Sequence, residues 1–126
     1  MREIKFRGKF KSDGLWEFGS LWIDKGKYYI NGTDNNWWEV IPGTVGQYTG
    51  LKDKNGVEIY EGDIVCDRWA NFYTPIFRNG IYMAYNVKDL HLTKQEPSTQ
   101  FNVIWKNGCE VIGNIYEDKD LLEEIK

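Results

Sequence analysis

Five dipeptides in which Asp or Asn precedes Gly constrain the fold of this chain most strongly; they are Asp13-Gly14, Asn31-Gly32, Asn55-Gly56, Asn79-Gly80 and Asn107-Gly108. Both residues of such a pair accept the positive φ that a tight hairpin turn needs. Residues suited to strands flank each pair, and the pairs recur at intervals of roughly 20 to 30 residues. This spacing favours antiparallel hairpins over alternating strand–helix units.

The clearest predicted hairpin joins residues 101–106 through Asn107-Gly108 to residues 109–116. If the loop has two residues, both faces of this two-stranded ribbon are partly apolar. A sheet with one solvated face alternates apolar and polar residues instead. We therefore expect this ribbon to be covered on both sides, by another part of the chain or by another subunit.

Two further turns are predicted on the same grounds. Residues 75–78 turn through Asn79-Gly80 into residues 81–85. At residues 53–56, Asp stands first and Gly fourth, which suits a type I turn.

Helix is predicted only at the tail, over residues 118–126. Asp118 can cap this helix, and three apolar side chains, Leu121, Leu122 and Ile125, lie on one side of it. Because so short a helix is unstable alone, we expect it to dock on the sheet.

The predicted architecture is therefore mainly β, with antiparallel hairpins that form a small barrel-like fold and a short C-terminal helix. A chain of 126 residues fits one domain, residues 1–126. A softer boundary near Ile41-Pro42-Gly43 allows two intertwined subdomains, about 1–43 and 44–126.

Composition limits the classes of function. The net charge of −3 argues against a protein that coats nucleic acid by charge alone. The sequence has no run of about 18 apolar residues, so no transmembrane helix is predicted. The first seven residues alternate charged and apolar side chains, unlike a signal peptide. A cytoplasmic protein without a membrane partner is the resulting expectation.

The two cysteines, Cys66 and Cys109, form no Cys-x-x-Cys pattern. Each follows turn or strand residues, so we expect each to lie in a sheet as a small apolar thiol. A structural disulfide between them is the alternative.

Two segments carry a family resemblance. Residues 46–65 read GQYTGLKDKNGVEIYEGDIV, and residues 111–118 read VIGNIYED. Together they resemble the YopX family of phage and prophage proteins, and residues 2–7 resemble the start of that family. In the family a Pro often follows the position of Asp118, where this chain has Lys119.

The resemblance implies a mainly β fold, a phage or prophage origin, and self-association in some members. The family has no established biochemical activity and no established catalytic residues. No catalytic residue, metal ligand or cofactor is therefore predicted for this chain.

The resembling segment contains four carboxylates, Asp53, Glu58, Glu61 and Asp63. A nuclease or metal hydrolase needs several convergent carboxylates to hold Mg²⁺ beside a phosphate. The simpler interpretation is that Asp53 begins one turn and that Glu61-Gly62-Asp63 makes another. A carboxylate-dependent hydrolase remains the third hypothesis.

His91 is the single histidine of the chain. One imidazole cannot form a two-His metal site, and a Cys–His dyad would need Cys66 or Cys109 beside it. The alternating pattern around His91 predicts a side chain that points to solvent. No nucleophile elbow, phosphate loop or dinucleotide fingerprint is present either.

The N-terminal residues predict a strand with one basic face, formed by Lys5, Arg7, Lys9 and Lys11. Ile4, Phe6 and Phe10 lie on its other face. A basic stripe near exposed aromatic rings is typical of proteins that bind single-stranded nucleic acid. An ordinary solvated strand face is the alternative, and the acidic net charge favours it.

Trp37 and Trp38 are adjacent. In a strand they point to opposite faces, so one ring can enter the core only if the other meets solvent, a ligand or another subunit. Trp16 and Trp22 add aromatic area upstream. These four tryptophans are the predicted candidate interface. Complete burial within one chain and a platform for a small molecule or nucleic acid are the alternatives.

The leading hypothesis is a noncatalytic, phage- or prophage-derived accessory protein that binds protein and forms a homo-oligomer. A phage or host protein is a further expected partner. The second hypothesis is a single-stranded nucleic-acid-binding protein that uses the basic strand face.

Overall fold

The computed structural model describes residues 3–32, 34–90 and 96–125. The chain divides into two units, Met1–Gly50 and Leu51–Lys126. The division falls within a strand, a few residues beyond the boundary that the sequence suggests. The predicted boundary itself coincides with a turn of 3-10 helix, Pro42–Thr44.

Short antiparallel strands form the first unit. They pair in the order β4-β3-β2-β1-β5. Their bounds are β1 Phe6–Lys9, β2 Trp16–Asp24, β3 Lys27–Asn31, β4 Trp37–Val40 and β5 Gly46–Lys52, the last of which ends in the second unit. An isolated bridge joins Phe10 to Val40, and it brings the end of β4 back to the chain that leaves β1.

The turns of this unit confirm one predicted hairpin and correct another. At Asp13-Gly14 the chain reverses between β1 and β2, and Gly14 has φ 74°. Asn31-Gly32 is not a hairpin turn, because five residues separate β3 from β4. The tight turn lies instead at Lys25-Gly26, where both residues have positive φ. Gly32 lies instead against the carboxylate of Glu17, which would have to move to admit a Cβ there.

Ile30 and Val40 are fully buried at the centre of this unit. Gly8 lies against both, and a Cβ on Gly8 would come within 3.0 Å of Val40 Cγ2. The glycine thus lets neighbouring apolar side chains fill the space that its own side chain would take.

The second unit contains a five-stranded antiparallel sheet in the order β10-β9-β8-β7-β11. Its bounds are β7 Asp63–Asp67, β8 Phe72–Arg78, β9 Ile81–Asn86, β10 Thr99–Gln100 and β11 Cys109–Asn114. A short strand, β6 Glu58–Tyr60, follows the end of β5. Two helices complete the unit, α1 Phe101–Lys106 and α2 Lys119–Ile125.

The hairpin predicted at Asn79-Gly80 is confirmed. Arg78 pairs with Ile81, so the loop has two residues. Asn79 and Gly80 have φ of 54° and 85°, as a mirror-image turn requires.

The hairpin predicted at Asn107-Gly108 is wrong, because residues 101–106 form helix α1. Phe101 and Ile104, three residues apart, lie on the buried side of this helix. Gly108 has φ 90°, and its N–H donates to the carbonyl of Trp105 at 3.0 Å. The Asn-Gly pair therefore ends a helix, which needs the same positive φ as a hairpin turn.

Both sides of the second sheet are covered, and the cover comes from within the chain. Val65, next to Ile64 on β7, packs with α1, whereas Ile64 packs beside Leu121 and Leu122 of α2. Adjacent strand residues point to opposite faces, so the two helices cover opposite faces. The tail helix and its docking on the sheet are thus confirmed, and no second subunit is needed to cover these strands.

The mainly β class is confirmed, and the barrel-like closure is corrected. In the described part of the chain the strands pair in two open sheets. Closure would require continuous pairing between the edge strands. The pairing at Phe10 and Val40 is an isolated bridge instead.

The two segments that carry the family resemblance meet in the second unit. Asp53 is buried, and its Oδ1 accepts hydrogen bonds from the N–H of Asn55 at 2.8 Å and of Val57 at 2.9 Å. Its Oδ2 accepts from the N–H of Val111 at 2.9 Å. One carboxylate therefore closes the turn at residues 53–56 and also attaches β11 to it.

Gly62 makes the second junction between these segments. Its carbonyl accepts from the N–H of Ile115 at 2.9 Å, and a Cβ on Gly62 would lie 2.6 Å from the ring of Tyr116. Because Gly62 also has φ 91°, both its conformation and its contact with Tyr116 disfavour a residue that has a Cβ.

Substitution of Asp53 by Asn should lower the free energy of unfolding by about 2–4 kcal/mol, since it weakens three charge-assisted hydrogen bonds at a buried site. Burial alone would raise the pKa of Asp53, but the three amides lower it below the usual value. This stabilisation is therefore present at neutral pH and is lost as the pH falls through the lowered pKa. Urea unfolding measures the change, and Glu124→Gln on the exposed end of α2 is the control. Equal stability of the two variants would contradict this role.

Substitution of Gly62 by Ala should destabilise the protein more than substitution of Gly56 by Ala. Both glycines have positive φ, 91° and 83°, but a Cβ at Gly56 meets nothing within 4 Å. The conformational strain of about 1–2 kcal/mol is common to both variants. The contact with Tyr116 should add about 1–3 kcal/mol for Gly62→Ala alone. Thermal or urea unfolding that finds equal losses would refute the contact.

Candidate functional site

The four carboxylates of the family-like segment bind backbone amides and a tyrosine hydroxyl. Asp53 accepts the three amides described above. Asp63 accepts from the N–H of Tyr60 at 2.7 Å, and Glu61 accepts from the N–H of Phe77 at 3.0 Å. Glu58 accepts from the hydroxyl of Tyr60 at 3.3 Å. The turn interpretation is confirmed for Asp53 and for Glu61-Gly62-Asp63, where Gly62 has a positive φ just before β7.

These carboxylates do not converge on a metal site. Within residues 3–32, 34–90 and 96–125, no three His, Cys, Asp or Glu side chains are grouped so that they could hold a metal ion. His91 lies outside the described residues. The arrangement thus gives no support to a carboxylate-dependent hydrolase.

The two cysteines are free thiols in strands of a sheet, as predicted. The two strands, β7 and β11, are neighbours. Cys66 pairs with Glu110, and Cys109 pairs with Asp67. Paired residues share a face, and successive residues alternate, so the two thiols point to opposite faces of the sheet. This register excludes a disulfide between them without a change in the sheet.

Burial raises the pKa of both thiols. For Cys109 the pKa rises to about 11, first because the side chain is desolvated and then because Asp53 and Asp67 lie nearby. For Cys66 the pKa is also raised, by desolvation and then by Asp67 and Glu110. Both groups are therefore protonated and weakly nucleophilic at neutral pH.

The predicted basic stripe is engaged by the first unit's own aromatic and acidic groups. The amine of Lys5 lies 5.2 Å from the ring centre of Tyr48 and 3.5 Å from Oε1 of Glu3. The amine of Lys11 lies 3.1 Å from Oε2 of Glu39. These two residues also lie outside β1, which spans only Phe6–Lys9.

Arg7 and Lys9 share one aromatic partner. The guanidinium carbon of Arg7 lies 4.4 Å from the ring centre of Trp16, and the amine of Lys9 lies 5.5 Å from it. Arg7 is only 6% exposed, so it is poorly placed to reach a phosphate. Trp16 is half-buried beneath these cations.

Trp22 and Trp37 form an exposed cluster with Tyr29. The ring centres of Trp22 and Trp37 are 5.9 Å apart in an edge-to-face arrangement, and those of Trp22 and Tyr29 are 5.1 Å apart. Trp22 is 48% exposed and Trp37 is 44% exposed. The strand register explains the cluster. Trp22 pairs with Tyr29 of β3, and Trp37 pairs with Asn31, which is two residues further along β3 and therefore on the same face as Tyr29.

Trp38 lies on the opposite face of β4. Its ring packs edge-to-face on Phe10, with centres 6.0 Å apart, and its Nε1–H donates to Oδ2 of Asp34 at 2.6 Å. Trp38 is 43% exposed. Trp37 and Trp38 thus point to opposite faces as expected, and neither ring is fully buried.

Several residues of these surfaces were not identified from the sequence. Tyr29, Phe10 and Asp34 join the tryptophans through strand register and a loop, which local patterns do not specify. Trp69, which is 57% exposed beside the guanidinium of Arg68, was also missed. It lies two residues after the end of β7.

No helix in the described part of the chain is both long and apolar enough to cross a membrane.

Comparisons with known proteins agree with this fold. The family model described as YopX protein matches residues 5–123. The crystal structure of protein EF1440 from Enterococcus faecalis is similar over 97% of this chain and 99% of that chain, with 25% sequence identity and a TM-score of 0.58. No curated protein matches the chain significantly.

Alkylation of Cys109 should show a midpoint near pH 11 in the folded protein, against 9.0 for an ordinary thiol. At pH values below both midpoints, this difference lowers the thiolate fraction by about 100-fold. The Cys66→Ser variant isolates the response of Cys109. The same variant in denaturant is the control, in which the midpoint should return to the ordinary value. A folded-state midpoint near 9 would show that the thiol is not desolvated.

Proposed function

This chain belongs to the YopX family, and we propose that it is a noncatalytic accessory protein of phage or prophage origin that binds protein and forms a homo-oligomer. Its site of action is the cytoplasm of a bacterial host. The description of the family as phage- or prophage-encoded supports this origin.

The observation that carries the proposal is the exposed cluster of Trp22, Tyr29 and Trp37. These rings pack on one another, so they are largely fixed before any partner arrives. Rigid aromatic side chains offer a large contact area at a small cost in conformational entropy. Tryptophan and tyrosine are also the residues most enriched at interface hot spots.

The area of the cluster suits the centre of an interface. Indoles of about 250 Å² that are 48% and 44% exposed offer roughly 230 Å² of surface. A stable interface buries about 800 Å² on each partner. The remaining buried area must come from the surrounding face of β2, β3 and β4. Phe18 contributes a further exposed ring to this face.

A second copy of the chain is a suitable occupant of this face. The turn between β2 and β3 places Asp24 and Lys27 opposite each other at one end of the cluster. A face that carries both charges does not repel an identical face across a two-fold axis. Asp24 of one copy can then approach Lys27 of the other.

The arrangement of the polar groups supports a noncatalytic role. The carboxylates of the family-like segment are hydrogen-bonded within the fold, and both thiols are protonated at neutral pH. The basic residues of the second hypothesis already contact Trp16, Tyr48, Glu3 and Glu39. Binding to protein therefore has more support than binding to nucleic acid.

The wild-type chain should self-associate with a dissociation constant in the micromolar range. Trp37→Ala should weaken this association by about 10- to 30-fold, because it removes a central aromatic contact. Sedimentation velocity over a dilution series measures both constants.

Trp69→Ala is the matched control, since Trp69 is even more exposed but lies outside the cluster. This variant should associate like the wild type. A wild-type chain that stays monomeric at the highest concentration would refute the homo-oligomer, and equal effects of the two substitutions would refute the assigned surface.

A further inference from the structure

A small depression opens beside Trp38, on the face of β4 opposite the Trp22–Tyr29–Trp37 cluster. It has a volume of about 180 Å³, and its lining residues are Phe10, Ser12, Asp13, Asp34 and Trp38. All of them belong to the first unit. Pockets for drug-sized ligands measure about 300–1,000 Å³, so this depression fits a single small head group better than a whole cofactor.

Two aromatic rings form the apolar walls of the depression. The planes of Phe10 and Trp38 meet at 87°, with centres 6.0 Å apart. The isolated bridge between Phe10 and Val40 fixes the backbone that carries one ring, and the hydrogen bond from Trp38 Nε1–H to Asp34 orients the other. The walls are therefore held in place without a ligand.

Two carboxylates complete the lining. Asp34 Oδ1 accepts from the N–H of Asn36 at 3.1 Å, and Asp13 Oδ1 accepts from the N–H of Leu15 at 3.0 Å. The amide of Asn36 and then the indole of Trp38 lower the pKa of Asp34, so this group is ionised at neutral pH. These bonds hold both carboxylates at fixed positions beside the rings.

The described lining contains no Lys, Arg or His side chain that could neutralise these carboxylates. Lys11 stands between two lining residues in the sequence, but its amine lies 3.1 Å from Glu39 Oε2. A pocket with aromatic walls and two anionic groups is complementary to an organic cation, which gains from the ring faces and from the charges together.

We propose that this pocket binds the cationic head group of a Lys or Arg side chain presented by a protein partner of different sequence. The head group lies against the indole of Trp38 and donates hydrogen bonds to Asp34 and Asp13. The proposal goes beyond the homo-oligomer, because it concerns the opposite face of β4 and does not depend on self-association.

The experiment follows the indole N–H resonances of the ¹⁵N-labelled full chain, which contains six tryptophans. The resonance of Trp38 is assigned from its absence in Trp38→Phe. The probe is Nα-acetyl-arginine amide, added at constant ionic strength. The matched probe is Nα-acetyl-citrulline amide, which has nearly the same shape as the arginine compound and no charge.

The Trp38 resonance should move saturably with the arginine probe, with a dissociation constant in the millimolar range, and should not respond to the citrulline probe. Asp34→Asn should weaken binding about tenfold, because it removes one charge from the pocket and keeps an oxygen acceptor for Asn36. If that variant does not give a folded spectrum, Asp13→Asn provides the same test.

Trp69→Phe is the control, since Trp69 is also an exposed indole but is not one of the residues that line the pocket. It should leave arginine binding unchanged. A Trp38 resonance that ignores arginine, or that responds equally to citrulline, would overturn the proposal. A Trp38 resonance that moves with protein concentration alone would also overturn the proposal, because a second copy of the chain would then occupy the pocket.

Discussion

The buried carboxylate of Asp53 and the backbone of Gly62 hold the second unit together. Asp53 ties β11 to the turn at residues 53–56, and Gly62 ties the residues that follow β11 to the turn before β7. Neither contact tolerates a substitute easily, because one needs a buried charge facing three amides and the other needs a positive φ with no Cβ. Asn114 extends the junction, since its side chain accepts the N–H groups of Tyr116 and Glu117. Residues 51–65 and 111–118, which resemble the family, are therefore joined directly to each other within the second unit.

The sequence predicts the position of a turn correctly at Asn79-Gly80 and at Asn107-Gly108, but it does not always predict which structure the turn ends. Asn79-Gly80 lies between two runs of residues suited to strands, and it makes the expected two-residue hairpin. Asn107-Gly108 has the same local chemistry but ends a helix, because a helix C-terminus and a mirror-image turn both require a positive φ. The β-branched and aromatic residues before it favour a strand by propensity. Burial of Phe101 and Ile104 on one side of a six-residue helix overrides that preference.

The candidate surfaces could be predicted only in part for a similar reason. Adjacent tryptophans in a strand must face opposite ways, and Trp37 and Trp38 do so. The neighbours of these rings depend on how the strands pair. Tyr29 reaches the Trp37 cluster because β2 and β3 place it opposite Trp22, and Phe10 reaches Trp38 because a single bridge joins Phe10 to Val40. For the basic stripe, the sequence predicts the face of the strand but not the residue that covers it. Alternation correctly places Arg7 and Lys9 on one face, but it does not reveal that Trp16 covers that face and engages both cations.

The electrostatic difference between the two faces of β4 bears on what each can bind. Trp37 lies among aromatic rings, with charges of both signs at the edge of its cluster, so an apolar and nearly neutral surface suits it. Trp38 lies between a phenyl ring and an ionised carboxylate, so the same indole there favours a cation. Strand β4 thereby carries two equally exposed indoles, one suited to an apolar surface and the other to a cation. Because the rings project from opposite faces, occupation of one does not sterically exclude occupation of the other, and an oligomer formed through Trp37 would leave a Trp38 pocket open on each copy.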